Sequence, residues 1–166
     1  DIALDNTGKI LICGVYHNGT NQDYFVAKYN EDGSLIWQYY YDYGDDDRPI
    51  AITSDGVGNV YVTGSSVGTG TMEDYATLKL DGSTGTLLWE SRYDFSMRQD
   101  EATDLILNST GDLLVCGASD EDDFDTRFAV LKYSSVDGSE ISSIRHDSPG
   151  VGYDIPNQMK LDGLGN

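Results

Sequence analysis

Short apolar runs separated by Gly, Asp and Asn recur along this chain, and three of them align residue for residue. They are Gly8-Lys-Ile-Leu-Ile-Cys-Gly14, Gly58-Asn-Val-Tyr-Val-Thr-Gly64 and Gly111-Asp-Leu-Leu-Val-Cys-Gly117, and a fourth copy begins at Gly165-Asn166. Ala, Leu and Glu do not cluster at the 3.6-residue spacing of a helix. The period of roughly 50 residues marks a tandem structural repeat.

Each copy carries four blocks. The first is a short strand, at 1–4, 49–54, 102–107 and 157–161. It leads into a tight turn that opens on Asp5, Asp55, Asn108 or Asp162 and closes on a glycine. An Asx side chain can bond the amides of its own turn, and Gly tolerates positive φ. The Gly-flanked run is the second strand. The third contains Asp23-Tyr-Phe-Val-Ala-Lys-Tyr29, Asp74-Tyr-Ala-Thr-Leu-Lys-Leu80 and Arg127-Phe-Ala-Val-Leu-Lys-Tyr133. The fourth follows another Gly turn, from Gly33, Gly85 and Gly138, and ends near Asp42, Asp94 and Asp147.

The second strand is apolar at consecutive positions, where a half-buried strand would alternate. Both faces of each sheet are therefore expected to be covered. A two-sheet sandwich exposes one face of every sheet, whereas small sheets stacked radially cover both. The sequence predicts an all-β fold, a β-propeller segment of three four-stranded antiparallel blades plus the first strand of a fourth. The expected units are 1–47, 48–100, 101–154 and 155–166. Three blades do not close a ring, so the end blades are expected to present apolar faces to further blades of the same polypeptide or to other copies of the chain.

Charge narrows the partners. The 166 residues carry a formal net charge of −19. Such a surface repels phosphate backbones and anionic membranes, so no nucleic acid is expected. No run of 18 apolar residues is present, so no membrane span is expected. The chain opens inside a strand-like segment without a Met, which suggests that the true N-terminus lies upstream.

The series D-x-x-G-N-V-Y-V-T-G, D-Y-x-x-x-K, G-x-L-L-W and D-x-A-T is complete in the second copy, at Asp55–Gly64, Asp74–Lys79, Gly85–Trp89 and Asp100–Thr103. It resembles the bacterial β-propeller repeat called SBBP. The resemblance covers nearly the whole chain and implies a secreted or surface-attached protein. By analogy with similar propeller repeats, the first strand should be innermost. The third copy departs from it, with Ser142 in place of Trp37 and Trp89, and His146 in place of Tyr41 and Tyr93. The first repeat junction has Arg48-Pro49 where an acidic residue and Ala are expected.

Several positions recur as candidate sites. Lys28, Lys79 and Lys132 form either an anion-binding ring or, as the repeat favours, one structural support per blade, with Asp42, Asp94 and Asp147 as natural partners. Asp47, Asp100 and Asp154 precede each first strand and suit bonds to the inter-blade loop. Trp37 and Trp89 are expected to wedge between blades, and the Tyr39–Tyr43 run offers rings to the core or to a carbohydrate. No cofactor is expected. Calcium is the one candidate, at Asp45 and Asp47 or at Asp120, Asp122, Asp123 and Asp125, but neither acidic run has the EF-hand spacing and both read as solvated loops. His17 and His146 lie in different copies without a nucleophile motif. Cys13 and Cys116, two blades apart at one repeat position, are expected to be buried free thiols.

The expected role is an extracellular or cell-surface structural or interaction module, with a protein or carbohydrate ligand and no chemistry of its own. The alternative is part of an enzyme or ligand-binding propeller whose site lies mostly outside this segment.

Overall fold

The computed structural model describes residues 1–122, 125–146, 149 and 152–163. Twelve strands form three four-stranded antiparallel sheets. The first holds β1 (Ile2–Leu4), β2 (Ile10–His17), β3 (Gln22–Tyr29) and β4 (Leu35–Tyr41). The second holds β5 (Asp47–Ser54), β6 (Val60–Val67), β7 (Glu73–Leu80) and β8 (Leu87–Tyr93). The third holds β9 (Asp100–Leu107), β10 (Leu113–Asp122), β11 (Asp125–Tyr133) and β12 (Glu140–His146). Strand order follows chain order within each sheet. The sheets pack face to face, β5 against β1, β2 and β3, and β9 against β5, β6 and β7, which is a propeller arrangement.

The recurring turn is built from its first side chain. Asp5 Oδ1 accepts the amides of Thr7 (2.8 Å) and Lys9 (2.9 Å). Asp55 Oδ1 accepts those of Val57 (3.0 Å) and Asn59 (2.9 Å), and Asn108 Oδ1 those of Thr110 (3.0 Å) and Asp112 (2.9 Å). Each turn closes on Gly8, Gly58 or Gly111 with φ between 81° and 94°.

Face-to-face packing decides which strands are buried throughout. β6, in the middle sheet, is buried at six of its eight residues, on both faces. β2 has the same apolar continuity, yet it alternates half-buried Ile10 and Ile12 with buried Leu11 and Cys13. Its inner face packs with Tyr24, Val26 and Trp37 against Ile52, Val60, Val62 and Leu78 of the second sheet. Among the described residues its other face meets no sheet. A second core joins Tyr61, Tyr75 and Trp89 to Leu105, Leu113, Val115 and Leu131 of the third. Cys13 and Cys116 are buried free thiols.

Each junction is closed by a matched pair of contacts. Lys28 stands opposite Trp37 across β3 and β4, and Lys79 opposite Trp89 across β7 and β8. The Lys28 ammonium (2.7 Å) and the Trp37 indole N–H (3.1 Å) both donate to the carbonyl of Gly82 in the next sheet. One sheet on, Lys79 (2.6 Å) and Trp89 (3.3 Å) both donate to the carbonyl of Ser135. Trp37 also lies against Gly85, where an added Cβ would sit 2.7 Å from the ring; Trp89 lies in the same way on Gly138, at 2.8 Å.

The glycine that ends the second strand has a different reason. A Cβ at Gly64 would fall 2.0 Å from the Arg48 carbonyl and 2.8 Å from Tyr24 Oη of the preceding sheet. At Gly117 it would fall 2.1 Å from the Glu101 carbonyl and 2.5 Å from Tyr75 Oη. At Gly14, which has no preceding sheet, nothing lies within 4 Å.

One expected element differs. No strand forms over 157–161, and the described residues 152–163 make only an isolated parallel bridge between Thr126 and Tyr153. A strand needs a hydrogen-bonded neighbour, and among the described residues none pairs with 157–161. The segment still makes the equivalent contact to the preceding sheet: Met159 N donates to Asp104 Oδ2 (2.6 Å), as Ile52 N donates to Asp1 Oδ2 (3.1 Å) one junction earlier.

Two outcomes follow for chemical denaturation. Gly117→Ala should cost more than about 2 kcal/mol, because a carbonyl and a tyrosine must give way, whereas Gly14→Ala should change stability by less than about 0.5 kcal/mol. Trp89→Ala should cost about 3–5 kcal/mol, the range for emptying a packed indole site. A loss below about 1 kcal/mol would mean that the ring is displayed rather than packed.

Candidate functional site

At one end of each junction the chain gathers carboxylates. Tyr24 pairs with Tyr41 and Tyr75 with Tyr93, so Asp23 and Asp74, one residue before, come beside Asp42 and Asp94, one residue after. The chain then turns into the next sheet, whose first strand starts on Asp47 or Asp100. Two equivalent clusters result, Asp23 with Asp42 and Asp47, and Asp74 with Asp94 and Asp100, each offering three oxygens within 4.8 Å of one another. In both, two carboxylates are buried and the middle one is exposed.

The loop is pinned on these acids. Asp47 Oδ2 accepts the Tyr43 amide (2.8 Å), and Asp100 Oδ2 the Phe95 amide (2.6 Å). Asp94 Oδ1 accepts the Met97 amide (2.8 Å), in a loop where Ser96 and Met97 have φ of 64° and 56°. Asp74 Oδ2 accepts from Arg92 (2.8 Å) and Thr71 (3.0 Å), and the Asp23 carboxylate accepts from Asn18. Three carboxylate oxygens remain buried without a partner: Asp47 Oδ1, Asp74 Oδ1 and Asp100 Oδ1. Burial, together with the charges of Asp94 and Asp74, pushes the Asp100 carboxyl up to about 7 despite the Phe95 amide; burial also raises Asp47.

Arginines brace the same ends. Arg92 stacks on the Tyr43 ring at 4.0 Å and donates to Ser66 and to Tyr41 Oη. Arg145 stacks on Phe95 at 3.4 Å and donates to the Ser119 carbonyl. The third unit has Arg127 where Asp23 and Asp74 stand, so it lacks that carboxylate.

The lysine ring dissolves into three supports, and their partners are corrected. Lys28 pairs with Asp5 Oδ2 at 2.8 Å and Lys132 with Asp112 Oδ2 at 2.8 Å, while Lys79 lies over the Tyr61 ring at 5.2 Å. Asp42 and Asp94 are not their partners. Register places Asp42 five residues along the strand from the Lys28–Trp37 pair, about 17 Å away. Asp147 and Asp123 lie outside the described residues.

The acidic runs are used locally. Asp45 Oδ1 accepts the Asp46 amide, Asp120 Oδ1 accepts the Thr126 hydroxyl, and Asp125 pairs with Arg127. Of the residues singled out for calcium, only Asp47 belongs to a three-carboxylate cluster among the described residues, and Asp42, which opens the same acidic run, joins it. Asp120, Asp122 and Asp125 do not. Its companions Asp23 and Asp42 come from strand ends that pairing brings together. Their signal in the sequence is recurrence at three fixed positions of the repeat, in Asp23/Asp74, Asp42/Asp94 and Asp47/Asp100.

His17 Nδ1 accepts the Gly19 amide in a hairpin, and His146 stacks on Phe128 at 4.8 Å. The two lie in different sheets, and neither makes a hydrogen bond to a nucleophilic side chain among the described residues. Tyr41 is buried, while Tyr40 and Tyr43 are exposed.

Residues 6–35 match the family model described as a domain of unknown function (DUF5122) beta-propeller. The match spans the first turn through β3 and the start of β4. No curated protein matches the chain.

The Asp5–Lys28 pair generates a pH test. Burial opposes the charge on Asp5, but Lys28, Thr7 and the Lys9 amide outweigh it and hold its carboxyl well below the usual range. A depressed folded pKa adds stability that is fully present above the unfolded value near 4 and lost as pH falls through the folded one. At pH 7, Asp5→Ala should cost about 3–5 kcal/mol by stranding a buried ammonium. The gap between wild type and variant in urea midpoint should narrow steadily from pH 4 to pH 2. A constant gap would show that the ion pair contributes nothing.

Proposed function

We propose that this chain is a segment of an SBBP-type β-propeller, acting at the cell surface or outside the cell as a rigid scaffold that displays loops and packs against further protein. One observation carries the reading. The free face of the first sheet presents Ile2, 65 % exposed, with half-buried Ile10, Ile12 and Phe25. The same repeat positions in the second sheet, Ile52, Val60, Val62 and Ala76, are buried against a neighbour. A surface with this composition and this repeat equivalence is suited to another blade, of the same polypeptide or of a second copy.

The junction contacts support the scaffold role, since each sheet is fixed to the next by the same Lys–Trp and Tyr–Gly contacts. The strongly acidic surface and the repeat resemblance support an extracellular location. No helix is long and apolar enough to cross a membrane among the described residues.

Sedimentation of the purified 166-residue chain tests the packing. Concentration-dependent association is expected, reduced by Ile12→Glu, which places a charge on the free face without entering the core. A stable monomer at every concentration, with no dye binding to apolar surface, would overturn it. An antibody against the chain should label intact cells; labelling only after lysis removes the surface location.

A further inference from the structure

We propose that the Asp74–Asp94–Asp100 cluster, at the junction of the second and third sheets, is a calcium-class divalent cation site, with Asp23–Asp42–Asp47 its second copy one junction earlier. The donor set is all oxygen, with no His or Cys, which selects a hard cation over zinc or copper. Calcium ligands lie 2.3–2.6 Å from the ion, so two of them sharing one ion stand at most about 5 Å apart. The three oxygens here stand within 4.8 Å of one another.

An acidic cluster alone would prove little, and the independent observation is burial without partners. Asp100 is 0 % exposed and Asp74 3 % exposed. Asp74 Oδ1 and Asp100 Oδ1 accept no hydrogen bond of ordinary geometry, although the buried Ser119 hydroxyl lies near enough to Asp100 to ease its charge. Buried carboxylate oxygens are normally satisfied, since the desolvation of each is otherwise uncompensated. Arg92 answers only the other oxygen of Asp74. The exposed Asp94 stands at the mouth and gives an ion a way in, with water completing the coordination sphere. The earlier cluster repeats the arrangement with Asp47, which is 0 % exposed and whose Oδ1 is unpartnered. The third unit breaks it by placing Arg127 at the Asp74 position.

The test is calcium titration of the purified chain, after chelator treatment, by calorimetry and thermal melting. Two sites are expected, with a melting temperature raised by calcium and lowered by chelator. Asp100→Asn should remove one site and Asp47→Asn the other. Asp94→Asn changes an exposed residue and so keeps the fold; it should weaken one site at least tenfold. The idea is overturned if the chelated protein melts alike with and without millimolar calcium. It is equally overturned if calcium binds but none of the three variants alters it, since the ion then sits on surface carboxylates. Should Asp100→Asn melt higher than wild type at pH 7 with no calcium response in either, the cluster holds a proton instead, which also defeats the proposal.

Discussion

The structure rests on one requirement: a small sheet that is apolar on both faces needs a stacked neighbour on each. No blade of this chain can supply that alone. Each therefore depends on its neighbour, and the sequence devotes its recurring large and polar residues to that contact. The carbonyls of Gly82 and Ser135 show how. Each is a backbone acceptor in a loop of the following sheet, and each receives an ammonium and an indole N–H from the preceding one. The lysine stem and the indole ring fill apolar space, while their polar tips satisfy one buried acceptor. A blade is thus aligned to the next in both height and rotation.

This dependence explains why equivalent residues differ in environment. Ile10 and Val60 share a repeat position, yet the first is half-buried and the second fully buried, because only the second meets a sheet on that side. Gly14 and Gly117 likewise share a position, but only Gly117 is crossed by a tyrosine from the sheet before it. The third sheet has Ser142 where the tryptophans stand, and Lys132 turns to Asp112 in its own sheet. Repeat sequence sets the local strand; the neighbour sets its burial.

Much of the fold is therefore legible in the sequence. Repeat spacing, Asx–Gly turns and unbroken apolar runs are local or periodic properties, and they led to the three four-stranded sheets. The strand expected over 157–161 does not form because a strand is a pairing, and a repeat position alone cannot supply the partner. The lysine partners differ from the expectation for a related reason. Asp42 recurs with Lys28 in the repeat, but strand register separates them by about 17 Å and puts Asp5 beside the ammonium instead. The carboxylate clusters were only half legible. Linear acidic runs point to Asp45 and Asp47 or to Asp120, Asp122, Asp123 and Asp125 and read as solvated loops, whereas pairing assembles Asp23, Asp42 and Asp47 from two strands and the next sheet.

The two ends of a junction differ in how their polar groups are satisfied, and this bears on what the molecule needs from its surroundings. At the lysine end of the first junction, the cationic and indole groups are matched within the protein: ammonium to carboxylate and carbonyl, indole to carbonyl. At the aspartate end, two buried carboxylates face each other with oxygens left over, and the nearest arginine is already shared with Ser66 and Tyr41. In a chain of net charge −19, no surplus of cationic side chains exists to complete them. Buried like charges so close favour uptake of a proton or a cation from solution, and the carboxyl of Asp100 is raised accordingly. The packing at one end is therefore closed within the protein, while the other end carries the proposed dependence on an ion.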